Sequence, residues 1–294
     1  MKAKMILFVL VLALAAVSAQ STIQQDEEGV RGAFLTTRPK QVDKPARTTP
    51  AAKPSRRRKK TIEPKPLNPT STPVPTPDGG GQKPGQKIGL GLTLFTRDSN
   101  GMAVRSDPNR VFRKGDRVRV LLETNADGYL YIFNTTDGGK PVMIYPDSQL
   151  DDAGNYIQSH VPFEIPSSVA SEERLRWFSF DEQPGAERLF FVFTREPLPA
   201  VPIDDDLLSF CRDNKNKCPL QPGSDLWAQI QKELSVPVQV AKSQHYGKAQ
   251  SANEQVATTR GIGLSKDDPE PSLVMLTASS NTPMLVATLE LIHK

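Results

Sequence analysis

The stretch that decides the fold runs from residue 111 to residue 146 and reads VFRKGDRVRVLLETNADGYLYIFNTTDGGKPVMIYP. Val118, Val120 and Leu122 alternate with Arg117, Arg119 and Leu121, a period of two that predicts a strand. Asn125-Ala-Asp-Gly128 supplies the next turn, and Asp-Gly is a strong hairpin signal because both residues tolerate positive φ. Tyr129 to Phe133 is a second strand; Thr136-Asp-Gly-Gly139 turns again, and Val142 to Tyr145 is a third, closing on Pro146. Short strands at roughly 10-residue spacing with turn chemistry between them predict an all-β chain, an antiparallel β-sandwich or open barrel.

The pattern extends in both directions. Upstream, Ile88, Leu90, Leu92 and Leu94 alternate with Gly89, Gly91 and Thr93, a strand at which order is expected to begin. The glycines there lack the spacing and the following helix of a phosphate loop. Arg97 to Asn109 is turn-rich. Downstream, Tyr156 to Val161, Phe163 to Pro166, Leu175 to Phe180 and Glu187 to Thr194 read as strands, and Pro197, Pro199 and Pro202 end the run. Asp204 to Phe210 and Ser224 to Leu234 then predict two short helices. Ser224 is placed to cap the second, with Leu226, Trp227, Ile230 and Leu234 on one face. Gln239 to Arg260 is polar and reads as a flexible insert, so the segment at about 203–262 stands as a helical and flexible insertion. Ser272 to Thr277 and Pro283 to Ile292 are two closing strands, expected to join the same sheet system because a lone hairpin is marginal in water. Aromatic residues on alternating strand positions, Tyr131, Phe133, Phe191 and Phe193 among them, are read as core filling.

Several ordered pieces carry a resemblance. Phe112-x-x-Gly-Asp116 is followed by Asp127-Gly-Tyr-Leu-Tyr-Ile-Phe-Asn134, Ile144-Tyr-Pro146 and Ile165-Pro166. Pro184-Gly-x-Glu187 then precedes a strand ending at Thr194, with Pro197-Leu-Pro199 beyond it. In this order they resemble a bacterial domain of unknown function, the family numbered 4384, over about residues 88–200. The resemblance implies a β-rich module of exported or envelope proteins, appended elsewhere to signalling or enzymatic domains and without established catalysis. The motifs show no such companion domain in this chain.

The amino-terminal third differs in composition. Lys2 and Lys4 precede an uncharged apolar run from Met5 to Val17, and small residues at Val17-Ser18-Ala19 predict a signal peptide over 1–19. The run is shorter than the ~20 residues of a bilayer span, so cleavage, rather than a retained anchor, is the expectation. Localisation then follows: exported, to the periplasm or the cell surface, with no transmembrane span after cleavage. Residues 20–87 read as a disordered, basic, proline-rich linker with too few large apolar residues to offset its ordering entropy. Residues 21–87 hold 14 Lys and Arg against 6 Asp and Glu, a net of +8, whereas residues 88–294 hold 21 against 27, a net of −6. Arg56, Arg57, Arg58, Lys59 and Lys60 are the densest basic cluster. Outside the cytoplasm the polyanions open to it are anionic membrane surface, envelope polymer and the acidic face of its own domain, the plainer reading is a solubilising spacer with no partner, and nucleic acid is not expected. The domain scheme is therefore a leader, a linker and a sandwich over 88–294.

Chemistry is harder to find. The only cysteines, Cys211 and Cys218, are expected to form a small-loop disulfide in an oxidising compartment, and their number excludes a zinc ribbon or an iron–sulfur protein. His160, His245 and His293 read as isolated surface or edge residues, and no HExxH or GxSxG occurs. Asp147, Asp151 and Asp152 offer oxygen donors in one loop, a weak calcium candidate without the spacing of an EF-hand. The reading is a non-enzymatic interaction module of unknown partner, with no cofactor. The alternatives are an envelope-glycan hydrolase, whose carboxylates would meet only in space, or a carbohydrate- or calcium-binding domain.

Overall fold

The computed structural model describes residues 27–40, 86–147 and 154–294. Strand alternation is realised as two antiparallel sheets. The first is ordered β10 (Val238–Lys242), β11 (Leu273–Thr277), β1 (Gly89–Arg97), β3 (Arg117–Thr124) and β7 (Phe163–Ile165), with β2 (Ala103–Arg105) against β1 and β8 (Phe178–Ser179) against β3. The second is ordered β12 (Met284–His293), β9 (Gly185–Thr194), β4 (Gly128–Thr136) and β5 (Val142–Tyr145), with β6 (Tyr156–Ile157) against β4. Pairing of Leu92 with Leu122 in one sheet, and of Ile132 with Phe191 in the other, turns these residues into a common core between the sheets. The two closing strands separate, β11 to the first sheet and β12 to the second.

The second sheet is apolar on both faces, which explains the unbroken run Leu189 to Phe193. Its outer face presents Tyr131, Phe133, Phe190 and Val192 to helices α2 (Asp204–Asp213) and α3 (Ser224–Leu234). Leu207, Leu226 and Ile230 are buried there, and Trp227 meets Phe133 and Phe190 edge-on at 6.1 and 4.8 Å. Cys211 and Cys218 are bonded, with Cα atoms 5.6 Å apart, tying the end of α2 to the turn before Pro219. The three aspartates at the start of α2, Asp204, Asp205 and Asp206, complement its dipole.

The amino-terminal reading needs correction. Residues 27–40 lie inside the stretch 20–87 read as linker, yet 27–35 form a helix, α1, docked on the outer face of the first sheet. Val30 and Phe34, one turn apart, pack against Ala241, Val274 and Leu276, and burying Phe34 alone is worth roughly 1.5–3 kcal/mol. Two apolar residues and one arginine at i, i+4 and i+8 are enough to seat a helix in tertiary contact, too small a signal for a compositional argument. The leader, residues 20–26 and 41–85 of the linker with Arg56, Arg57, Arg58, Lys59 and Lys60, and Asp151 and Asp152 lie outside the described residues.

Gly89 and Gly91 now have a reason. A Cβ on Gly89 would lie 2.9 Å from Phe34 Cδ2, and one on Gly91 2.5 Å from Pro271 Cγ and 3.2 Å from Phe34 Cζ. The alternating glycines open the sheet surface to the helix and the returning chain.

Other boundaries move. The turn-rich segment contains β2. Tyr156 to Val161 is a strand only at Tyr156–Ile157, ending before His160 at φ 59. Leu175 and Arg176 sit in a 3-10 turn, Glu173–Arg176, ahead of β8. Ser224 is not a cap: Gly223 occupies that position without a side-chain bond. The polar insert is ordered, with β10 on the sheet edge and α4 (Ala252–Arg260) opened by a capping box of Ser251 and Glu254. Among the described residues no helix is long and apolar enough to cross a membrane.

Candidate functional site

Alternation on β1 and β3 leaves Thr93, Phe95, Arg119, Leu121 and Glu123 on the face of the first sheet turned away from the core. In an ordinary sandwich such a face meets water. Here α1, α4 and the chain over 263–272 cover it, and its charges are buried in pairs. Arg38, 2% exposed, forks Glu123 through Nε to Oε1 at 2.8 Å and Nη2 to Oε2 at 2.7 Å, and its remaining N–H groups reach the carbonyls of Ser265, Asp268 and Pro269. Arg105 meets Glu254 at 2.5 Å, and Arg119 lies 3.7 Å from Glu164 with its guanidinium 4.3 Å from the Trp177 ring centroid. Burial lowers the pKa of both Arg105 and Arg119 from the ordinary value. Burial alone would raise the Glu123 carboxyl, but the hydrogen bonds and charges of Arg38 and His160 outweigh it and hold the group below the usual carboxylate range.

His160 is 2% exposed, not an isolated edge residue: its Nδ1 lies 2.7 Å from Glu123 Oε1, and its Nε2 lies 2.7 Å from Thr37 Oγ1. A hydroxyl, an imidazole and a carboxylate in a row have the outward form of an acyl-transfer triad. Two features set this row apart. The Glu123 charge is already neutralised by a bidentate guanidinium, and Thr37 Oγ1 donates to Phe34 O at 2.6 Å, a carbonyl of the last turn of α1. The row fastens the end of α1 to the sheet.

One open concave feature lies between the sheets. Val118, Ile144, Phe178, Phe180, Leu189 and Leu291 form its walls, with a volume of about 240 Å³. Asn134 and Glu187, on inward-facing positions of β4 and β9, line it with His293 of β12 and Ser179 and Asp181 of the β8 segment. Asn134 Nδ2 donates to Glu187 Oε2 at 2.7 Å and Thr136 Oγ1 donates to the same atom at 2.9 Å. Asn134 Oδ1 and His293 Nδ1 are buried with no hydrogen-bond partner among the described residues. His293, read as a terminal surface residue, is 6% exposed and lies against the Phe180 ring, centroids 5.0 Å apart.

The sequence had marked part of this cleft without showing that it is one. The pieces ending in Asn134 and Glu187, and the one beginning at Ile144, converge there. Gly115 and Asp116 reach it through reciprocal backbone bonds with Phe180. His293 and Leu291 come from a strand almost 100 residues away, and only pairing of β12 with β9, Leu291 opposite Glu187, brings them in. Asp147 is half-buried, and no group of three His, Cys, Asp or Glu able to hold a metal occurs among the described residues.

No curated protein and no solved structure matches the chain. Residues 111–197 match the model of the family described as Domain of unknown function (DUF4384), the family that the ordered motifs resemble, and that segment supplies nine of the eleven residues lining the cleft, all but Leu291 and His293.

Proposed function

We propose that the chain is an exported, non-enzymatic β-sandwich module that holds a small ligand or a partner's side chain in the cleft between its sheets. The observation that carries this reading is the cleft itself: apolar walls beside buried polar atoms without a hydrogen-bond partner among the described residues, the usual make-up of a recognition site. The basic cluster Arg56 to Lys60 extends the proposal to a second contact, with anionic envelope surface, which rests on sequence alone.

A fragment screen by amide correlation spectroscopy on the isotope-labelled intact chain tests the cleft. Fragments that enter it shift the amides of Phe178 to Asp181, Glu187 to Leu189 and Leu291 to His293 together. A diverse library that leaves all of these unmoved overturns the reading.

A further inference from the structure

The chemistry of the cleft narrows the ligand, an inference that rests on the binding reading above. The eleven lining residues include Asp181 and Glu187 but no lysine or arginine. Its unpartnered atoms and its carboxylates also share one sense, that of acceptors, with the Ser179 hydroxyl able to serve either way. Asn134 Oδ1 is an acceptor that no donor among the described residues reaches, and the bond from Nδ2 to Glu187 fixes which way the amide points. Glu187 is acceptor-only when ionised, and its side chain points inward from β9, in register with Thr136 on β4 and Leu291 on β12. His293 Nδ1 is a further acceptor when the ring carries its proton on Nε2. An inward carboxylate beside an orphaned amide oxygen, with apolar walls behind, fits a donor-rich cation. It does not fit an anion, which would face two carboxylates, nor a wholly apolar body, which would leave both orphaned atoms unsatisfied.

We propose that the cleft binds a primary ammonium group carried on a short apolar body, as in an aralkyl amine or a lysine side chain of a partner. The ammonium donates to Asn134 Oδ1, His293 Nδ1 and the Glu187 carboxylate, and the body lies against Phe178, Phe180 and Leu291. The volume of about 240 Å³ accommodates one aromatic ring or a chain of a few methylenes with its head group.

Three probes of matched shape test this on the intact chain: phenethylammonium, phenethyl alcohol and phenylacetate, titrated at one ionic strength and followed by the cleft amides. The expected result is a dissociation constant for the ammonium at least about tenfold lower than for the other two, the discrimination one charge-assisted hydrogen bond supports. Glu187→Gln should erase that preference and leave the alcohol unchanged. Because Glu187 is half-exposed, the unchanged spectrum of the rest of the molecule verifies that the variant is folded. Equal binding of all three overturns the ammonium assignment and leaves the cleft a binding site. Silence from all three also overturns it, and the wider fragment screen decides separately whether the cleft binds anything. A preference that survives in Glu187→Gln overturns the role given to the carboxylate.

Discussion

Arg38 shows most clearly how much a single residue can commit. Its guanidinium is spent on one buried carboxylate and three backbone carbonyls, that of Ser265 buried and those of Asp268 and Pro269 partly so. A buried pair of this kind adds little relative to a well-packed apolar substitute, because desolvation offsets the attraction, but removing one partner strands the other. Arg38→Met should therefore cost about 3–5 kcal/mol in urea unfolding. The double variant Arg38→Met with Glu123→Gln, which removes the carboxylate charge but keeps an amide facing His160 Nδ1, should recover a good part of that loss. If the double variant is no more stable than the single one, the cost lies in lost packing and not in a stranded charge. None of this is visible in the residue's neighbourhood in sequence, Thr36-Thr-Arg-Pro-Lys40, which reads as a polar loop.

At the scale of elements the docking of α1 depends on what the first sheet leaves out. Gly91 stands where a Cβ would strike Pro271 and crowd Phe34, so Gly91→Ala should destabilise by about 1–3 kcal/mol through overpacking. The same change where the sheet surface is open should be far milder, and equal losses at both kinds of site would point to backbone entropy instead. This is also where legibility in sequence divides. Alternation gave the long strands β1, β3, β4, β9 and β12, because a period of two needs only local residues. It could not tell which faces are covered. Arg119 and Glu123 alternate with apolar neighbours as a solvated face does, and only contact with Arg38, Trp177 and α4 makes that face interior. Likewise Glu254 looks like one more charge in a polar insert until its carboxylate is seen to serve both the Ser251 cap and Arg105. The motif residues Asn134, Ile144 and Glu187 were legible as signals but not as a place, since their meeting with His293 follows from long-range strand order.

For the whole molecule, the charge division read from the sequence takes a different meaning. The net −6 of residues 88–294 includes acids that are internally neutralised, Glu123, Glu164 and Glu254, each against an arginine. The acidic groups that act at a distance are those at the surface and in the cleft mouth. The described body is also completed by residues far upstream. Lys266 N donates to Pro39 O and Gln86 Nε2 donates to Asn125 O, so the chain is fastened to the sandwich on both sides of residues 41–85. A truncation starting at Ile88 would strip α1 from Val274 and Leu276 and leave Glu123 without its guanidinium. Any binding study built on such a truncation would confound loss of the basic cluster with damage to the sheet.

That double fastening makes the peptide link between the two pieces dispensable once folding is complete. Trypsin acting at Arg56 to Lys60 would sever the covalent connection while α1 stayed seated and the Arg38 fork stayed closed. The severed protein should run as one species in native gel filtration and part into a small and a large fragment only in denaturant. Immediate separation under native conditions would show that the grip of residues 27–40 is too weak to hold without the intervening chain. A molecule built this way survives injury as a clasp survives the cutting of its strap.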